Sequence, residues 1–238
     1  MNAAVVLGAR NLGGAIARDL LADEVCVAAI ARTRADLDAL AAAGAFAICA
    51  DAADEHELDA ALVRAAAAFG PPDLIVNAVS ASRPPDDASS FGGGALTEAS
   101  AAGFEGWAVA VAQQAFVFLH AALQALDGHG GTIVQIIGAP ARRANPERGL
   151  VAAGSAAVRA LAHAAAQEWR ERGIHVALLI VDGIIESPKT ARMAAGMSTD
   201  ALVRHEDVVT AVRFLASQST RGMTHELVIT PGGGRWVP

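Results

Sequence analysis

In "VVLGARNLGGAIARDLL", Val5–Leu21, an aliphatic run gives way to a glycine-containing turn and then to a pattern of helical period. A strand, a turn and a helix in that order bring backbone N–H groups and the positive end of a helix dipole to one point, where a pyrophosphate can be received. A lone turn of this kind recurs by chance in many loops, so its meaning depends on what surrounds it.

Outward from this unit the same alternation continues. Strands are expected at Ala3–Leu7, Val25–Ala31, Phe46–Ala50, Leu74–Val79, Thr132–Ile137, His175–Val181 and Glu226–Thr230. Helices are expected at Gly13–Ala22, Arg34–Ala43, Glu55–Phe69, Gly103–Leu126, Arg148–Trp169 and Glu206–Ser217. Continuously apolar strands separated by helices of about ten residues or more predict a parallel sheet covered on both faces. Right-handed crossovers make it an α/β doubly wound, Rossmann-like sheet of seven strands. "SASRPPDDASSFGGGALTEAS", Ser80–Ser100, has the composition of a loop and follows the fourth strand. No repeat or linker divides the chain, so a single domain over 1–238 is expected.

The 238 residues are 53% hydrophobic and carry a net charge of −7, which argues against nucleic acid or anionic membrane as partners. No uninterrupted apolar run reaches the length of a bilayer span, and "MNAAVVLGARN" has no basic leader, so a cytoplasmic protein without a signal peptide is expected. Cys26 and Cys49 lie in strand-like runs and read as small buried hydrophobes of a reducing compartment. The histidines show no metal-ligand spacing, and no metal site is expected. Two scarcities bear on chemistry: the chain has no tyrosine, and Lys189 is its only lysine.

Several residues fall where a dinucleotide would need them. After the second strand, Ala31 is followed by Arg32, suited to a ribose 2′-phosphate, where a carboxylate would select a 2′-hydroxyl. Asp51 follows the third strand, where it can accept from an adenine amino group, and Asn77 ends the fourth. On these motifs the chain resembles the short-chain dehydrogenase/reductase family over essentially its whole length. That family's Thr-Gly-xxx-Gly-x-Gly turn is matched by Leu7-Gly8-Ala9-Arg10-Asn11-Leu12-Gly13-Gly14. Its Asp-Val-x-Asp segment is matched by Asp51-Ala52-Ala53-Asp54, and its Asn-Asn-Ala-Gly segment by Asn77-Ala78-Val79-Ser80. Its Pro-Gly-x-Ile-x-Thr segment is matched by Asp182, Gly183, Ile185 and Ser187, and its closing Gly-Gly by the tail "VITPGGG". The resemblance implies NADP(H) binding, with NAD(H) as the alternative, through Gly8, Arg10, Asn11, Leu12, Gly14, Arg32, Asp51, Ala52, Asn77, Gly183 and Ser187. Leu12 stands where the family has its middle glycine, and Gly13 is expected to restore the clearance.

By the same resemblance, hydride moves between cofactor and carbon while a tyrosine exchanges the proton. A lysine cation lowers that tyrosine's pKa from about 10, a serine orients the substrate oxygen, and an asparagine holds a relay water. The matching positions here are Val151, Ser155, Gly138 and Gln114 in that order, so the set is missing. A positioned acid is worth on the order of 10²–10⁴ in rate, while proximity survives its loss. The implied protein binds NADP(H) and has weak or absent redox activity by this route. An atypical oxidoreductase with a relocated acid, Lys189 being the candidate, and a non-redox enzyme on the same fold are the alternatives. Asp182 would lie near the nicotinamide or cap a turn. Ser80, Ser82, Arg142 and Arg143 read as solvated loop residues. The resemblance also implies a homodimer or homotetramer, for which the small face of Ala152–Ala166 is suited.

Overall fold

The computed structural model describes residues 1–85 and 91–234, so the centre of the loop after the fourth strand lies outside the described residues. The chain runs β1 (Ala3–Leu7), α1 (Asn11–Ala22), β2 (Cys26–Ala31), α2 (Arg34–Ala42), β3 (Phe46–Cys49), α3 (Glu55–Phe69) and β4 (Leu74–Asn77). It continues through α4 (Ala101–Phe104), α5 (Ala110–Leu126), β5 (Gly131–Gly138), α6 (Gly149–Trp169), β6 (Ile174–Val181), β7 (Ile184–Ile185) and α7 (Ala191–Ala194). It closes with β8 (Leu202–Val203), α8 (His205–Ala216) and β9 (Glu226–Ile229).

The main sheet has seven strands, all parallel, in the order β3-β2-β1-β4-β5-β6-β9. Strand alternation divides the interior in two. Val5 and Leu7 face one core with α3, α5 and α6, while Ala4 and Val6 face the other with α1, α2 and α8. Both faces are dry, which is why the strands read as unbroken apolar runs rather than as alternation. The direction of winding reverses between β1 and β4, and the carboxyl ends of these strands open the crevice where such sheets bind ligands.

Local chemistry sets the ends of the elements. Asp54 caps α3 by accepting from the Glu57 N–H at 3.0 Å, and Gly70, at φ +84°, carries the chain out of it. The helix expected over Gly103–Leu126 is interrupted: Glu105–Val109 form a π turn between α4 and α5. Two neighbours press on it. A Cβ on Gly106 would lie 2.1 Å from the Arg83 carbonyl, and one on Gly154 would lie 2.8 Å from Ala108 Cα. The small residues of α6 are therefore spent largely within the chain, with Ala152, Gly154, Ala162, Ala165 and Ala166 buried.

One sequence expectation changes here, and two features are added to it. Cys26 and Cys49 are exposed, because each lies at one end of its strand rather than in its middle. The pair β7–β8 forms a small second parallel sheet unforeseen in the sequence. By length and composition alone Ala101–Leu126 and Gly149–Arg172 are long and apolar enough to cross a membrane, and about half of each is buried inside the protein, as in core helices.

Candidate functional site at the carboxyl edge of the sheet

The turn between β1 and α1 is built by its glycines. Gly8 adopts φ +96°, and a Cβ there would approach the Ala78 carbonyl to 3.1 Å. Gly13 and Gly14 are demanded by the turn itself, since Cβ atoms on them would lie 1.8 and 2.5 Å from the carbonyl oxygens of Gly8 and Ala9. Leu12, in the middle-glycine place, turns its side chain into the core and is buried, so it does not fill the space above the turn. Asn11 enters the helix at φ +45°. No side chain caps α1 and no acid occupies its first turn. The space at its N-terminus thus keeps its affinity for an anion.

Around this turn the structure gathers positive charge. Arg10 is exposed and lies 3.5 Å from Asp36, at the start of α2. Arg32 is exposed at the end of β2, and its backbone carbonyl accepts from the Cys49 thiol. Lys189 is solvent-accessible, yet partial burial of its ammonium, and secondarily the charge of Arg10, lower its pKa. The only lysine therefore lies close enough to Arg10, in the turn after β1, to feel its charge. Ser187, beside it, bonds its hydroxyl to that of Thr190 at 2.8 Å. Gly183 is needed for packing, because a Cβ there would meet Pro231 and Val203 at 2.8 Å.

On the other side of the turn, Asp51 is held at both carboxylate oxygens by Arg83, at 2.8 and 3.1 Å, and accepts from the Ala53 N–H at 3.0 Å. Burial opposes its ionisation, but the Ala53 N–H and the Arg83 guanidinium outweigh this and lower its pKa. Arg83 was not foreseen; it sits in the Pro-rich loop, where no spacing marks it. Ala52 is buried, and its carbonyl accepts from Gln114 Nε2 at 3.2 Å. Gln114 in turn accepts from Asn77, which also donates to Gln135 at 2.9 Å. Asn77, Gln114 and Gln135 are fully buried and form one amide network binding the segment after β3 to β4, β5 and α5. Gln135 left a signal in the sequence, a lone amide in an apolar strand.

Val151, expected from the sequence at the tyrosine position, does not face an open cleft. Val151 is buried with Leu150 and Trp107 in a small cluster of its own. Its N–H points to the Gly92 carbonyl, and a Cβ on Gly92 would come within 3.0 Å of Val151 Cγ1. Gly92, Gly93 and Gly94 all have positive φ, and this run bridges to Arg148, laying backbone directly on the start of α6. Phe91 meets Trp107 edge-on at 5.1 Å. One turn along α6, Ser155 is buried and its hydroxyl donates to the Val151 carbonyl at 2.7 Å. Gly138, at the end of β5, has only an ordinary contact with Pro140 where a side chain would start.

Arg142 and Arg143 are not solvated, contrary to the sequence reading. Asp182, whose side chain is 5% exposed, accepts from both terminal nitrogens of Arg143 at 2.8 Å. Arg142 lies alongside, 17% exposed, with Nη1 3.9 Å from the same carboxylate. Ser80 is exposed and Ser82 half-buried, as loop residues.

A family model described as enoyl-(acyl carrier protein) reductase matches residues 6–234. Among solved structures, the chain is similar to an NADPH-bound short chain oxidoreductase from Pseudomonas aeruginosa PAO1 containing an atypical catalytic centre. The identity is 22%, the coverage 99% of this chain and 98% of that one, and the TM-score 0.81. It is similar to a blue fluorescent protein from a metagenomic library in complex with NADPH, at 26% identity, 98% coverage of each chain and TM-score 0.76. A variant of actinorhodin polyketide ketoreductase with NADPH follows at 23% identity, 99% and 98% coverage and TM-score 0.80.

Proposed function

The chain belongs to the short-chain dehydrogenase/reductase family, and we propose that it binds NADP(H) but transfers hydride weakly or not at all by the family's tyrosine–lysine route. The observation that carries this reading is the packing at Val151. A side chain without a transferable proton stands at the tyrosine position with Gly92 against it, and the Ser155 hydroxyl at the lysine position is spent on its own helix. Neither Val151 nor Ser155 can serve as the acid of that route or lower the pKa of one.

The residues present fit a dinucleotide. The uncapped N-terminus of α1 and the cations Arg10 and Lys189 suit a diphosphate, and Arg32 suits a 2′-phosphate. Asp51 and Ala52 border the adenine position, while Asn77, Gly183 and Ser187 border the nicotinamide end. Asn77 does so through the backbone it holds, since its side chain is consumed by Gln114 and Gln135. The nicotinamide supplies or takes the hydride when bound; this chain's part is to orient it and exclude water. The NADPH-bound relatives support the choice of cofactor.

The whole chain, 1–238, acts in this reading as one Rossmann-type unit in the cytoplasm, as a homodimer or homotetramer. The test is calorimetric titration with NADPH and NADH, followed by NADPH oxidation with a panel of carbonyl compounds. Tighter binding of NADPH with turnover far below that of a tyrosine-bearing relative is expected. Equal affinity for both nucleotides, or robust turnover, overturns it. A second reading, with Lys189 as relocated acid, draws on its lowered pKa. Its mark is robust turnover abolished in Lys189→Ala.

A further inference from the structure

We infer that Arg142 is the anchor for a carboxylate on the ligand that shares this cleft with the nucleotide. The inference goes beyond the cofactor reading, and its geometry stands whichever nucleotide binds beside it.

The location comes first. Gly138 and Val181 are the last paired rung of β5 and β6. Arg142 and Arg143 follow β5 after a single 3-10 turn, and Asp182 follows β6 directly. The three charged groups therefore meet at the carboxyl edge of the sheet. They sit between the segments after β5 and β6, one strand beyond the β1/β4 reversal where ligands of such sheets gather.

Charge comes next. Arg143 grips Asp182 through two parallel hydrogen bonds and neutralises it. Arg142 adds a second positive charge at the same carboxylate, within ion-pair range but without a hydrogen bond: its Nη1 is 3.9 Å from Asp182 Oδ2. That nitrogen is buried and has no hydrogen-bond partner among the described residues. A guanidinium does not give up its proton, so the strain cannot be relieved by neutralisation. A structural arginine would close on its carboxylate as Arg143 does, and a solvated one would stand in water. Arg142 does neither, and an anion completes it. Among the described residues the cluster of Arg142, Arg143 and Asp182 holds one more positive than negative charge, which suits a carboxylate whose two oxygens fit the guanidinium fork.

The test uses the full chain with and without saturating NADPH, titrated with straight-chain monocarboxylates of two to ten carbons, each beside its amide. Phenyl phosphate is titrated as well. At least one carboxylate is expected to bind roughly ten- to hundredfold tighter than its amide. In Arg142→Gln this preference is expected to vanish while NADPH affinity stays within twofold. Arg142→Lys, which keeps the charge but not the fork, retains part of it and serves if the glutamine variant does not fold. Absence of any carboxylate–amide preference in the wild-type chain overturns the inference, as does a preference that survives in Arg142→Gln. Tighter binding of phenyl phosphate than of every carboxylate also overturns it. Failure of NADPH to bind is read separately, from the nucleotide titration, and refutes only the cofactor reading.

Discussion

The Ser155 hydroxyl donates to the Val151 carbonyl across 2.7 Å, one turn back along α6. In the proposed reading these are the positions of the family's proton donor and of the cation that tunes it, and here they are joined to each other. The hydroxyl is buried and satisfied, and the valine lies under the glycine run.

Rebuilding the family's set therefore meets different resistance at each position. Gly138→Ser has room, while Val151→Tyr drives a phenol into the Gly92–Gly94 backbone. The triple variant Gly138→Ser, Val151→Tyr, Ser155→Lys is expected to show no gain in NADPH-dependent carbonyl reduction. It should lose about 1–3 kcal/mol of stability through overpacking. Parallel turnover and denaturant-unfolding measurements check both; a rise in turnover would show that the glycine run moves aside.

In the proposed reading nucleotide selection rests on Arg32. Arg32→Ala is expected to weaken NADPH by roughly ten- to hundredfold and leave NADH nearly unchanged. Lys189→Ala is expected to weaken both alike if its ammonium, near Arg10, meets the diphosphate common to the two. Calorimetry with the two nucleotides separates these patterns.

Close contact between α6 and the π turn makes Gly154 a point of intolerance. In Gly154→Ala the added carbon would lie 2.8 Å from backbone of Ala108, so the two helical segments must separate. A loss of about 1–3 kcal/mol in chemical denaturation is expected; an unchanged midpoint would contradict the packing described.

The pH dependence of stability carries the mark of His175. Burial, and secondarily the neighbouring His225 charge, lower its pKa below 6.5 in the folded chain. Between that folded value and 6.5 the unfolded chain binds a proton that the folded chain refuses. Stability from this group is complete above about pH 6.5 and declines as the pH falls, by up to about 1.4 kcal/mol per unit for one proton. Urea unfolding at pH 7.5 and 5.5 should show this decline, reduced in His175→Phe.

Much of the architecture was legible because it depends on short-range pattern. Unbroken aliphatic runs such as 74–76 and 176–181 imply burial on both faces, and Gly8, Gly13 and Gly14 imply a turn that side chains would block. The absence of tyrosine was likewise plain from composition. Less legible were groups whose meaning comes from distant partners. Arg83 reaches Asp51 across 32 positions, and Arg143 reaches Asp182 across 39, and neither spacing leaves a periodic trace.

Residue order therefore dictated the sheet and its winding, since both follow from local period, and it also shows a chain without tyrosine. Folding in three dimensions decided that Val151 packs with Leu150 and Trp107 and turns its N–H to the Gly92 carbonyl. It also decided that two arginines assigned to water converge on one buried carboxylate. Those outcomes depend on charges and carbon atoms brought together from separate strands, and no window along the chain contains both partners.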